Sequence, residues 1–193
     1  MANDFLFYLK LGWDHIISLD ALDHQLFILA LVAVYAYNDI KKILILVTAF
    51  TIGHSITLAL SVLNLVKISS DWVEFLIPLT IAITALDNVF LRGKQNSLMR
   101  LNYFFALVFG LVHGLGFANI ARMTMAKEQS ILVPLLGFNV GLELGQIVVV
   151  AIIFFIMAIF VGLFRIQRKD WIMFISSGVF ALALKITIER IPF

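Results

Sequence analysis

The stretch ILVPLLGFNVGLELGQIVVVAIIFFIMAIFVGLF, residues 131–164, contains no lysine, arginine, aspartate or histidine and one carboxylate, Glu143. As one helix its 34 residues would extend roughly 50 Å, well beyond a hydrocarbon core of about 30 Å. It reads as a membrane span with length to spare. Pro134 lacks an amide hydrogen and is tolerated in a first turn, so the helix is expected to start there, with its far end in water. Asn139, Glu143 and Gln146 fall at i, i+4 and i+7, on one face. Gly137, Gly141 and Gly145 form a GxxxG ridge. Two residues turn a helix by about 200°, so ridge and polar face point nearly opposite ways. One face packs closely on another helix; the other presents a carboxylate and two amides.

Outward from this span the chain keeps the same character. Of its 193 residues, 62% are hydrophobic and 13% charged, and the mean hydropathy is +1.05. A soluble domain has about 45–50% apolar and about 25% charged residues. The composition predicts an all-α polytopic membrane helix bundle, one transmembrane domain over residues 1–193 with no room for a separate soluble one. Six spans are expected, at about 20–37, 43–66, 72–91, 101–119, 134–164 and 171–188. Asp20 suits the N-cap of the first. Residues 5–18, with Phe5, Phe7, Tyr8 and Trp13, suit an interfacial helix, where amphipathic aromatics collect. The N-terminus carries Asp4 and no small-residue cleavage site, and reads as retained. The absence of cysteine excludes disulfides and thiolate metal sites. Nothing in the charge pattern points to nucleic acid.

Orientation follows from the basic residues. Lys41, Lys42, Arg92, Lys94, Arg100, Arg165, Arg168 and Lys169 fall on one side, against Lys10, Lys67, Arg122, Lys127, Lys185 and Arg190 on the other. This predicts both termini outside, in the inner membrane of a bacterium.

Polar side chains inside spans are costly, so they face the bundle interior and mark a site. Asp20, Asp23 and His24 share one face of the first span, and Thr51, His54 and Ser55 one face of the second. Asp87 and Asn88 lie in the third. In the fourth, His113 stands between Gly110 and Gly114, which admit a neighbouring backbone. By depth, His24, His54, His113 and Glu143 can converge in one layer, with Asp87 toward the cytosol. Imidazoles with carboxylates suit a borderline divalent ion: nickel, cobalt or zinc. A lone intramembrane histidine is commonly a helix-to-helix hydrogen bond; three in one layer with Asp23 and Glu143 point to a metal. His15 joins the site or lies at the interface. Asp14, Ser55, Asn88, Asn139 and Gln146 are expected to hold the ligands in place or line the path.

The segments GWDHIISLDALDHQLFILAL, TAFTIGHSITLAL, ALDNVF, FGLVHGLGFA and GFNVGLELGQ, in that order over residues 12–146, resemble the HupE/UreJ family, especially its UreJ-like branch. The resemblance implies a nickel or cobalt permease or accessory protein, associated with hydrogenase and urease. Carried over by motif, the metal-handling positions are His15, Asp23, His24, His54, His113 and Glu143. Two departures stand out: GHS where AHS is commoner, and Asp87 where the third-span motif often has glutamate.

The expected function is therefore divalent-cation permeation. Ions would be captured outside by His15, Asp23 and His24, desolvated at His54, His113 and Glu143, and passed inward past Asp87. A different class of function is an intramembrane zinc hydrolase. His24, His54 and His113 would then hold the metal, Glu143 or Asp87 would be the base, and Ser55 would lie nearby. A metal-sensing accessory subunit is a further alternative. The expected partners are the lipid bilayer and the metal ion, with a homo-oligomer or an accessory protein left open.

Overall fold

The structure is a computed structural model, and it describes residues 2–91, 99–125 and 130–192. Eight α-helices account for nearly all of them, and among the described residues there is no strand. They are α1 (Ala2–Ile17), α2 (Leu22–Val32), α3 (Ile40–Val62), α4 (Ser70–Leu91), α5 (Met99–Gly116), α6 (Ala118–Met125), α7 (Leu132–Met157) and α8 (Arg168–Glu189). Arg92, Lys94 and Lys127, used above for orientation, lie outside the described residues.

Among the described residues, four helical segments are long and apolar enough to cross a membrane: Tyr37–Val62, Ser70–Phe90, Leu132–Leu163 and Arg168–Glu189. The count rises to six if two bent pairs each make one span. Asp4–Ile17 meets Leu19–Val32 at 59°, and Tyr103–Gly116 meets Ala118–Met125 at 58°. The expected first span over residues 20–37 is thereby revised. Its helix proper is α2, 11 residues or about 16 Å, too short to cross by itself. A single 3-10 turn, Leu19–Ala21, separates it from α1, and Asp20 lies inside that turn, the N-cap of α2 being Ala21.

The glycines set the packing. On α7, a side chain at Gly137 would meet the Phe5 carbonyl, at Gly141 the Leu9 carbonyl, and at Gly145 the side chain of Ile16. Gly12 returns the contact against the Phe138 carbonyl. The ridge thus has α1 as its partner, along most of that helix, so the aromatic N-terminal segment is packed into the bundle. A second pair is built alike: Gly53 of α3 lies on the Leu107 carbonyl, Gly110 of α5 on that of Phe50, and Gly114 on that of His54. With no Cβ between them the backbones touch, and dispersion contacts replace the hydrophobic drive that lipid removes. α4 packs mainly against α8. Pro134 lies in the first turn of α7, and the helix continues beyond Met157 as a π turn to Leu163.

Candidate metal centre

These contacts bring all four histidines together. His15 ends α1, His24 opens α2, His54 lies in α3, and His113 lies near the end of α5. Ring centroids are 4.6 Å apart for His15–His24, 5.2 Å for His24–His113, 5.8 Å for His15–His54 and 6.1 Å for His24–His54. Two imidazoles sharing one tetrahedral ion at about 2.0–2.1 Å have centroids roughly 5 Å apart. The separations suit a shared ion. Among the described residues, however, no three histidine or carboxylate side chains are arranged as a group able to hold a metal.

The nitrogens are nevertheless unsatisfied. Nε2 of His15, His24, His54 and His113, and Nδ1 of His54, are buried without a hydrogen-bond partner. A buried polar atom left unpaired costs about 1–3 kcal/mol, and five within one cluster are more than a fold keeps without a use. For His113 the protonation pattern follows from its partner. Its Nδ1 lies 2.8 Å from the carbonyl oxygen of Phe109. A carbonyl only accepts, so Nδ1 carries the hydrogen and Nε2 is the bare lone pair, as metal-ligating histidines are oriented.

Phenylalanines wall the cluster. Phe117 is 4.4 Å from His15 and 4.8 Å from Phe138, stacked on it. Phe50 is 5.2 Å from His113, and Phe27 lies 5.3 Å from the same ring. Such walls exclude water and strengthen any charge interaction inside. The cluster opens on one side, into a cavity of about 230 Å³ lined by His15, His24 and His113 and by the charged groups Asp20, Asp23, Glu74 and Arg190. Asp23 is held by Arg190, whose Nη1 is 3.3 Å from its Oδ2.

The other polar residues form separate groups. Glu143 accepts a hydrogen bond from the Thr48 hydroxyl at 2.6 Å, and Gln146 one from Thr51 at 2.9 Å. Thr48 is six residues before His54, about 9 Å along α3, so Glu143 belongs to an adjacent polar layer. Ser55 donates back to the Thr51 carbonyl at 2.6 Å. Asn139 leaves its buried Oδ1 unpartnered. Asp87 is exposed on α4, 13 residues from Glu74 or about 20 Å, and Asn88 donates to the Ala30 carbonyl at 2.7 Å. Asp14 is exposed. The hydrolase arrangement, which needs Glu143 or Asp87 beside the imidazoles, has no such contact among the described residues. Sequence reasoning missed Thr48, Glu74, Arg190 and the phenylalanine walls. Phe50, four residues before His54, carried a signal: i, i+4 places it on the histidine's own face.

Searches of curated proteins and of solved structures gave no match. The model of the family described as "HupE / UreJ protein" matches residues 1–190. That is essentially the whole chain, and with its apolar helices and histidine cluster the chain belongs to the HupE/UreJ family, as an integral membrane protein of a family tied to metal handling.

Proposed function

We propose that the chain is a permease for a divalent transition metal, nickel or cobalt, whose central binding site is the four-histidine cluster. The observation that carries this reading is the unpartnered buried Nε2 of His15, His24 and His113, all three lining a cavity that, among the described residues, also bears Asp20, Asp23 and Glu74, with the unpartnered ring of His54 packed behind them. Neutral imidazole suits nickel, cobalt and zinc better than magnesium or calcium, which prefer oxygen. Asp20, Asp23 and Glu74 concentrate cations at the mouth. The phenylalanine walls then strip water, and rotation of the imidazoles about their side-chain torsions would supply replacement donors. The Thr51–Gln146 and Thr48–Glu143 pairs continue inward from His54, and Asp87 lies toward the far end. With both termini outside, in a bacterial inner membrane, the cavity opens to the exterior.

The test is uptake of radioactive nickel into proteoliposomes holding the purified chain. Uptake that saturates, and that His54→Ala and His113→Ala abolish in folded protein, is expected. Wild-type vesicles no more permeable than protein-free ones would end the permease reading. Tight binding without uptake would leave an accessory metal-binding role.

A further inference from the structure

Among the described residues lining the cavity, Arg190 is the single lysine or arginine. A cation-binding mouth is a poor place for one unless it has a task. Its guanidinium is 3.3 Å from Asp23, 167 residues away, and the two side chains are 38% and 23% exposed. Asp23 immediately precedes His24, whose buried Nε2 has no partner. Asp23 lines the same cavity as His24, so a carboxylate available to an ion there is already occupied. The Arg190 amide closes the last turn of α8 on the Ile186 and Thr187 carbonyls, and the ion pair ties that turn to α2, so a side chain that swings away from Asp23 releases the helix end to fray.

We infer that Arg190 is a tethered competing cation, a latch that neutralises Asp23 while the site is empty and is displaced when a divalent ion arrives. This rests on the metal reading above. Guanidinium and metal ion cannot share one carboxylate without like-charge repulsion across a few ångströms. Exchanging one positive charge for another gains nothing for a monovalent ion; a divalent ion brings one charge more. The latch thus lowers affinity and disfavours sodium and potassium. The bland reading is that Arg190 only complements the C-terminal end of α8, as a cation there does. That role involves neither Asp23 nor metal.

The experiment is a cobalt(II) titration of the full chain in detergent, read by ligand-field absorption, for wild type, Arg190→Gln, Asp23→Asn, the double variant and His24→Ala. Arg190→Gln is expected to bind cobalt about two- to tenfold more tightly, the exposed pair setting the lower end. In the Asp23→Asn background the same change is expected to have no effect within about twofold, since the coupling runs through that carboxylate. Hydrogen exchange on the wild-type chain needs no variant: amides of the last turn of α8 should exchange faster once cobalt is added. Unchanged or weaker affinity in folded Arg190→Gln, an equal effect without Asp23, or no change in exchange would overturn the latch. The metal reading would still stand if His24→Ala weakens cobalt binding. If neither wild type nor Arg190→Gln binds cobalt, both fail together.

Discussion

The ring of His54 stacks on that of Phe138, 21° from parallel with centroids 5.9 Å apart. His54 is completely buried, and neither of its ring nitrogens has a partner, so this face contact is a principal restraint on its ring plane. Phe138→Ala should cost about 3–5 kcal/mol of stability as a buried aromatic is lost. It should also lower metal affinity by freeing His54. Phe138→Leu should retain most of the stability and less of the affinity. Thermal unfolding in detergent, with metal titration below the transition, measures both; equal affinities in all three proteins would show that the ring merely fills space.

Glycine contacts give a prediction with an internal control. Gly141→Val places a side chain against the Leu9 carbonyl, whereas Gly162 and Gly178 have nothing within 4 Å of a new Cβ. The first variant should separate α1 from α7 and yield little monodisperse protein. Gly162→Val and Gly178→Val should elute and melt like wild type. Size-exclusion profiles decide it.

The layer containing Glu143 separates binding from passage. Glu143→Gln keeps an acceptor for the Thr48 hydroxyl but removes the charge. Metal affinity should change by less than about threefold, because Thr48, which Glu143 accepts from, is about a turn and a half from His54 along α3, while nickel flux into vesicles should drop at least about tenfold. An affinity loss as large as that of His54→Ala would put Glu143 among the ligands.

Protons should compete with the ion. Imidazole binds metal only when neutral and ordinarily titrates near 6.5. Affinity should therefore fall as the medium is acidified, with more than one proton taken up per ion released. Calorimetry in buffers of different ionisation enthalpy counts those protons. A pH-independent affinity would place binding on the carboxylates alone.

Much of this was legible in the sequence. Residues 131–164 announce a span, and the spacing of Gly137, Gly141 and Gly145 separates a packing face from the Glu143 face. The break before α2 was legible in Ser18 and Asp20, where the helix over 5–18 gives way to the first span. That the segment before the break packs into the bundle was not, since its mixed, aromatic composition is also that of a helix lying at the interface. The gathering of His15 with His54 was half legible: each appeared as a costly polar residue, but their contact depends on α1 lying beside α7. Arg190 and Glu74 could not be placed, since cavity walls assembled from distant helices leave no periodicity to read.

The two glycine-stitched pairs have a mechanical consequence. α1 is locked to α7 and α3 to α5 by direct backbone contact, so neither pair can slide internally without tearing close-packed atoms apart. His15 travels with the first pair, His54 and His113 with the second, and the ring of His24, from the short helix α2, meets rings of both. The four imidazoles therefore lie on a seam between two stiff plates. A rocking of a few degrees there would widen or close the ring of nitrogens while every helix keeps its shape.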